Sequence, residues 1–231
     1  MKAMILAAGR GERLRPLTDE TPKPLLKVAE KSLIEYHLEN LAKAGFKDIV
    51  INTAWLAEKI HQQLGDGSEY GVTIQYSDEG DALETAGGII NALPMLGDEP
   101  FVVVNGDIWC DFYFSELPKL NVPERSDKYP WGANIQAHLV LVKNPDHNQD
   151  GDFALQDGLI KNTGESMYTF SGIGIYSATF FAEQKPGITP LAPIIRKKCE
   201  DDLVSGQLHE GRWTDVGTIE RLQDLDYLLK K

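Results

Sequence analysis

The stretch that decides the fold is residues 2–18, KAMILAAGRGERLRPLT, in which a short apolar run passes directly into a glycine-rich loop. Residues 2–7 are predicted to form a buried strand because the segment after Lys2 is apolar without a break, as expected when both faces of a strand are covered. Small residues beyond the strand let backbone amides approach an anion closely. We therefore expect an anion-binding loop at the end of the first strand.

The next hundred residues alternate between strand-like and helix-like patterns. Ser32 with Glu35 three residues later forms a capping box, and Gly45 ends the helix that follows. The same periodicities predict helices at 33–44, 56–64 and 85–93, and strands at 48–52, 72–76 and 101–104. This alternation predicts an α/β fold with a mixed, mostly parallel sheet flanked by helices. Ligands of such sheets bind beyond the carboxyl ends of the strands.

The second half of the chain carries a different pattern. Strands are predicted at 133–142, 153–155, 159–160 and 168–176, helices at 191–199 and 219–229, and a polar loop at 121–132. Since no linker or repeat separates the halves, we predict a single domain over 1–231, made of halves 1–110 and 111–231.

Composition excludes several classes of partner. Lys and Arg number 23 against 35 Asp and Glu, which gives a net charge of 23 − 35 = −12. Nucleic acids and anionic membranes favour clustered basic residues, so neither is expected as a partner. No apolar stretch is long enough for a membrane span. Cys110 and Cys199 show no metal-ligand spacing, and the five histidines share none. Two unpatterned cysteines are consistent with a reducing, cytoplasmic setting.

Basic residues concentrate around the glycine-rich loop of this acidic chain. Arg13 can donate to phosphate oxygens, and Lys23 adds a point charge between Pro22 and Pro24. The loop is not a dinucleotide fingerprint, since Leu14 occupies the third glycine position, and no Gly-Lys-Ser/Thr of a P-loop follows. An anion site is favoured over a purely structural turn.

Acidic residues follow predicted strands at two distant points. Asp107 lies just beyond the strand at 101–104, and Asp215 lies in Trp213-Thr214-Asp215-Val216-Gly217-Thr218. Each fits either a Mg²⁺ ligand or a turn or helix cap. Glycines and polar residues at 76–88 fit either a base-reading backbone or an ordinary acidic loop.

These segments together resemble the sugar-phosphate nucleotidylyltransferases. Their loop L-A-A-G-x-G-x-R-L-x-P-L-T, followed by P-K-P-L, is matched at every fixed position by 6–18 and 22–25. The resemblance implies a Rossmann-like nucleotidyltransferase fold, with a nucleotide-binding first half and a sugar-phosphate-binding second half. It also implies Mg²⁺ held by Asp107 and Asp215, and catalytic roles for Arg13 and Lys23. The nucleotide-binding residues implied are Ala8, Gly9, Gly11, Glu12, Arg13, Lys23, Glu79, Ala82 and Gly88, and the acceptor residues are Asn105, Asp152, Ser171 and Arg196.

One departure from the family pattern concerns the segment after Asp81. Relatives carry L-G-T-A-G where this chain has Leu83-Glu84-Thr85-Ala86-Gly87, so Glu84 replaces a glycine. This form and the short chain are most similar to the branch of the family that joins UTP to N-acetylmuramate α-1-phosphate. The alternatives are a glucose- or mannose-1-phosphate enzyme that uses another nucleotide, and a nucleotide-sensing subunit without turnover. The oligomeric state is left open.

Overall fold

The structure is a computed structural model that describes residues 1–120 and 134–231. The loop predicted at 121–132 lies outside the described residues. The strands are β1 (Ala3–Leu6), β2 (Lys27–Val28), β3 (Lys31–Ser32), β4 (Asp48–Thr53), β5 (Thr73–Asp78), β6 (Phe101–Asn105), β7 (Ile108–Cys110), β8 (Ala137–Val142), β9 (Phe153–Gln156), β10 (Leu159–Lys161), β11 (Met167–Tyr176), β12 (Val204–His209) and β13 (Trp213–Asp215). The α-helices are α1 (Leu17–Glu20), α2 (Leu33–Lys43), α3 (Ala57–Leu64), α4 (Glu84–Leu96), α5 (Leu191–Glu200) and α6 (Ile219–Leu229).

One large sheet contains strands from both halves of the chain. Among the described residues it has nine strands in the order β5-β4-β1-β6-β11-β8-β12-β10-β9. The first four run parallel, as expected for strands joined by helical crossovers. β11 is antiparallel to both β6 and β8, and β10 is antiparallel to both β12 and β9, so seven of the nine described strands share one direction. The predicted mixed α/β sheet is therefore confirmed.

Alternate residues of the parallel strands enter cores on opposite faces of the sheet. Ile5 of β1 and Ile49 of β4 contribute to the core under α2 and α3, whereas Met4 contributes to the core under α4 and α5. All three side chains are essentially inaccessible to solvent. Period-two alternation with both faces covered explains the uninterrupted apolar sequence of these strands.

A third cluster joins the chain ends beside the glycine-rich loop. Leu14 and Val28 from the N-terminal segment pack with Val216, which follows β13, and with Leu222 and Leu225 of α6. The C-terminal helix therefore buttresses the loop after β1 and places the segment around Asp215 near it.

Several boundaries differ from those expected. α4 continues to Leu96 through Pro94, because a proline in the last turn removes only one intrahelical donor. The strands β7 and β12 and the β2–β3 hairpin were not predicted, since they are short or carry polar residues and glycine. In the part of the chain that the structure describes, no helix combines the length and apolarity that crossing a bilayer requires.

Candidate active site

A cavity of about 510 Å³ opens where β1, β4 and β6 end. Leu6, Asn52 and Asn105, which lie at or next to the carboxyl ends of these strands, form part of its wall. This is the edge where parallel α/β sheets bind ligands. Of the residues predicted to bind nucleotide, acceptor or metal, the following line this cavity: Ala8, Gly9, Gly11, Glu12, Arg13, Lys23, Glu79, Ala82, Asn105 and Asp107.

The glycine-rich loop is held in place by contacts that the sequence pattern did not indicate. Gly11 has φ +68°, and a Cβ there would lie 3.0 Å from Thr18 Cγ2 and 3.1 Å from Lys23 Cβ. Thr18 Oγ1 donates to the Gly11 carbonyl at 2.8 Å, and Trp55 Nε1 donates to the Thr18 carbonyl at 3.0 Å. The Arg10 guanidinium lies 4.4 Å from the centroid of the Trp55 ring. The hydroxyl of Thr18 and the indole of Trp55, which follows β4, therefore hold the loop in its conformation before a ligand binds.

Two cations on this wall differ in their surroundings. Arg13 is exposed on the 3₁₀ turn Glu12–Leu14, and among the described residues its guanidinium has no hydrogen-bond or ion-pair partner. Lys23 is 7% exposed, and its Nζ donates to Asp107 Oδ2 at 2.5 Å. Arg13 is thus available to an anion in the cavity, whereas Lys23 positions a carboxylate and adds positive charge beside it.

The two predicted metal ligands are brought together by pairing of short strands. The Val216 amide donates to the Asp107 carbonyl at 2.8 Å, and Asp215 of β13 stands opposite Ile108 of β7. Arg221 Nη1 donates to Asp215 Oδ1 at 2.6 Å. Asp107 and the nearby Gly217 line the cavity, but Asp215 itself does not. The two residues therefore lie on adjoining backbones, with Asp107 in the cavity wall and the Asp215 carboxylate paired with Arg221.

The strand that follows Asp107 is anchored from the helical layer. His37 of α2 has its Nε2 2.9 Å from the Ile108 carbonyl, which implies that this nitrogen carries the proton and donates. Burial lowers the pKa of His37 to about 4, so the imidazole is neutral at physiological pH. This contact stabilises the backbone on which Asp107 is carried.

A partly buried polar network connects the glycine-rich loop to the loop after β5. Ala7 N donates to Asn52 Oδ1 at 2.9 Å, and Asn52 Nδ2 donates to Glu79 Oε1 at 2.5 Å. Glu79 Oε2 accepts from Leu83 N at 3.0 Å. A Cβ on Gly88 would lie 2.5 Å from Glu79 Oε1, so Gly88 supports the network from behind and does not line the cavity. Asn52 was missed, although its position at the end of a parallel strand was a usable signal.

A second cavity of about 300 Å³ adjoins the first. Glu84, Thr85 and Asn105 line both, so they form the junction. Glu84 has φ +64°, a backbone conformation that favours the glycine found there in the family pattern. Glu84 therefore has a glycine-favouring backbone and adds a carboxylate at the junction.

The second cavity is lined by three of the predicted acceptor residues, one of which is Asn105 at the junction. Asp152 and Arg196 line it, with Phe153 and Phe170 as apolar walls. Asp152 Oδ2 accepts from Phe170 N at 2.8 Å, and the Arg196 guanidinium lies 4.9 Å from the centroid of the Phe153 ring. The cavity thus offers a cation, a carboxylate and aromatic surface, which suits a polar ring with an anionic substituent.

The structure does not bring Ser171 to either cavity. The register of β11 against β8 shifts between Phe170 and Ile173, and Ser171 lies inside this bulge with no exposed surface. Its Oγ donates to the Val140 carbonyl at 2.7 Å and accepts from Ile173 N at 3.1 Å. The bulge instead positions Gly172, whose φ is +83° and whose Cα faces Asn105. Ser171 therefore supports the cavity wall and does not face a ligand.

Comparisons with known proteins agree with this geometry. Residues 2–129 match the nucleotidyl transferase family. The chain is 52% identical to the N-acetylmuramate alpha-1-phosphate uridylyltransferase of Neisseria meningitidis over 99% of this chain and 98% of that protein. It is 34% identical to the protein of the same name from Caulobacter vibrioides, over 93% and 91% of the two chains.

A solved structure gives the same fold. It is a candidate glucose-1-phosphate thymidylyltransferase from Bacillus anthracis in complex with a sucrose, with a TM-score of 0.84 and 25% identity. The match covers 100% of this chain and 96% of that chain. The predicted Rossmann-like nucleotidyltransferase fold is therefore confirmed, and this chain belongs to the nucleotidyl transferase family.

Proposed function

We propose that this chain transfers the uridylyl group of UTP to N-acetylmuramate α-1-phosphate, giving a UDP-sugar and pyrophosphate. The observation that carries the proposal is the pair of adjoining cavities, one with a phosphate-binding loop and one with a cation and aromatic walls. The choice of UTP and of this sugar is supported by the names of the two relatives that match nearly the full chain. N-acetylmuramate is a peptidoglycan sugar, so the proposal includes a role in peptidoglycan recycling.

The reaction requires alignment more than proton transfer. An oxygen of the sugar phosphate attacks the α-phosphorus of UTP, and the bond from that phosphorus to the pyrophosphate oxygen breaks. The attacking oxygen is already anionic, so no general base is needed, and catalysis comes from positioning and charge neutralisation. We assign the exposed Arg13 guanidinium to the leaving pyrophosphate. Lys23 neutralises charge beside the transferred group and orients Asp107.

We also propose that Asp107 and Asp215 hold the Mg²⁺ that the family pattern implies. The donor set fits, because two carboxylates on adjoining backbones provide the oxygen ligands that Mg²⁺ takes together with substrate phosphates. Each carboxylate forms an ion pair with a basic side chain: Asp107 with Lys23, and Asp215 with Arg221. When bound, the ion supplies charge neutralisation to the phosphates.

For the acceptor, the proposal assigns the lactyl carboxylate to Arg196. Of the residues that line the second cavity in the described part of the chain, Arg196 is the only Lys or Arg. A site that pairs a substrate carboxylate rejects an analogue that lacks it, because a polar group is left unpaired. This reasoning favours N-acetylmuramate over N-acetylglucosamine 1-phosphate. Intracellular UTP and the two free, buried cysteines favour a cytoplasmic location.

The test is pyrophosphate release with UTP, GTP and dTTP against N-acetylmuramate, N-acetylglucosamine, glucose and mannose 1-phosphates. We expect the highest kcat/KM with UTP and the muramyl acceptor. Arg196→Ala should reduce the preference for the muramyl acceptor, whereas Arg196→Lys should keep part of it. Best turnover with a hexose 1-phosphate and another nucleotide would support the alternative enzyme, and binding without turnover would support a sensing subunit.

The metal proposal has its own test. Asp107→Asn should lose activity and retain the wild-type circular dichroism spectrum, and added EDTA should stop the wild-type reaction.

A further inference from the structure

A cluster of three metal-ligating side chains lies outside the proposed active site. It consists of Cys110 and Asp111, at the end of β7, and His209, at the end of β12. The ligand atoms of the three residues all lie within 4.8 Å of one another, and His209 Nε2 is 2.7 Å from Asp111 Oδ1. Across the described ranges 1–120 and 134–231, no other group of three His, Cys, Asp or Glu residues meets this criterion.

The backbone around this cluster admits the close approach of the ligands. A Cβ on Gly211 would lie 2.4 Å from Asp111 Oδ1 and 2.5 Å from His209 Nε2, so only glycine fits there without displacing them. The Arg212 amide donates to Asp111 Oδ1 at 2.9 Å and orients the carboxylate. Cys110 and Asp111 also line a separate cavity of about 300 Å³, which gives a ligand access from solvent.

We propose that Cys110, Asp111 and His209 bind a zinc ion, with a fourth coordination position open to this cavity. Zinc takes thiolate sulfur, imidazole nitrogen and carboxylate oxygen in tetrahedral geometry, and three protein ligands plus one open position is a common arrangement. Bond lengths of about 2.0–2.3 Å require ligand atoms roughly 3.3–3.6 Å apart. His209 Nε2 and Asp111 Oδ1 are 2.7 Å apart and no two of the three ligand atoms are more than 4.8 Å apart, so side-chain rotations bring them to that spacing.

The donor set separates this site from the Mg²⁺ site. Magnesium prefers oxygen ligands, whereas a thiol and an imidazole favour zinc and other transition metals. One thiolate and one carboxylate balance the charge of Zn²⁺, and the thiol releases its proton on binding. An ordinary His209–Asp111 ion pair explains the 2.7 Å contact without metal, but it makes no use of the neighbouring Cys110.

The test is equilibrium dialysis of the full-length protein against Zn²⁺ in excess Mg²⁺, with metal measured by atomic absorption. We expect one Zn²⁺ per chain, and an affinity at least about tenfold lower in Cys110→Ser, Asp111→Asn and His209→Gln. Cys199→Ser and His61→Gln are matched controls, because Cys199 is the other free cysteine and His61 pairs with an aspartate without a thiol nearby. Both should bind zinc as the wild type does.

Cobalt provides a second, spectroscopic measurement of the same site. Co²⁺ should give a thiolate-to-metal charge-transfer band that Cys110→Ser removes and Cys199→Ser retains. Absence of stoichiometric zinc, or zinc binding unchanged in His209→Gln, overturns the proposal. If Cys110→Ser fails to fold, Asp111→Asn and His209→Gln decide the question, since Asp111 is exposed. None of these measurements depends on uridylyl transfer, so the zinc site and the proposed function fail or succeed separately.

Discussion

The substitution Gly172→Ala tests whether the bulge in β11 positions the cavity wall. Its φ is +83°, and a Cβ there would lie 2.7 Å from Asn105 Nδ2 and 3.0 Å from Asn105 Cβ. Gly97 has the same φ of +83° with no atom within 4 Å of the corresponding position. Gly172→Ala therefore introduces backbone strain and a steric clash, whereas Gly97→Ala introduces the strain alone.

The two costs differ in size. A backbone conformation with a positive φ costs an L-residue about 1–3 kcal/mol, and overpacking a buried site costs about 1–3 kcal/mol more. Gly172→Ala should thus reduce the free energy of unfolding by about 2–6 kcal/mol, and Gly97→Ala by about 1–3 kcal/mol. At this chain length each kcal/mol lowers Tm by about 2–4 °C, so the variants should differ by about 2–12 °C.

Calorimetry measures the loss of stability in the two variants, and initial rates measure the effect of each substitution on kcat/KM. Asn105 lines both cavities, so its displacement in Gly172→Ala should lower kcat/KM by about 10- to 100-fold. Gly97→Ala should retain wild-type kcat/KM. Equal losses of Tm in the two variants, or full activity in Gly172→Ala, would refute the role given to this bulge.

Three further predictions concern the loop, the polar network and pH. Arg13→Ala should lower kcat by on the order of 10²-fold without changing the circular dichroism spectrum, and an effect confined to KM for the sugar phosphate would place Arg13 in the acceptor subsite. Gly88→Ala places a Cβ 2.5 Å from Glu79 Oε1, so KM for UTP should rise more than KM for the sugar; an unchanged KM for UTP would contradict the network's role. Burial lowers the pKa of His138 to about 4, below the unfolded value of 6.5, so the stability tied to its neutral form is present above pH 6.5 and is lost towards pH 4. The loss is about 1.4 kcal/mol per pH unit within that window, and Tm measured against pH should fall less steeply in His138→Gln.

Much of the candidate site follows from local sequence. A strand, a tight loop and the cations after it are contiguous in 3–23, so the pattern predicts an anion site without knowledge of the rest of the chain. Asp107 follows an apolar strand directly, and parallel strands bring such ends to one edge. The domain boundaries, the metal ligands and the roles of individual site residues stay predictions.

The structure places Ser171 in neither cavity, for a reason that local sequence does not contain. A bulge shifts the register of β11 against β8, and it turns Ser171 into the sheet while Gly172 approaches Asn105. Two residues, Ser171 and Gly172, fall between the pairs Phe170–Leu141 and Ile173–Val140, so neither has a regular place opposite β8. Residue pattern alone does not reveal such a shift, because the partner strand β8 is 25 or more residues away in the chain.

The sequence by itself determined most of the elements and the chemistry carried at their ends, because strand and helix periodicity and turn residues act over a few neighbouring positions. Only the tertiary structure decided which distant ends meet. β7 pairs with β13, and this pairing brings Asp107 close to the segment of Asp215. The end of β7 also lies beside His209, so Cys110 and Asp111 meet a residue that is 98 positions beyond Asp111. Strand partners are selected by packing of both sheet faces over the whole chain, so contacts of this kind have no local signature.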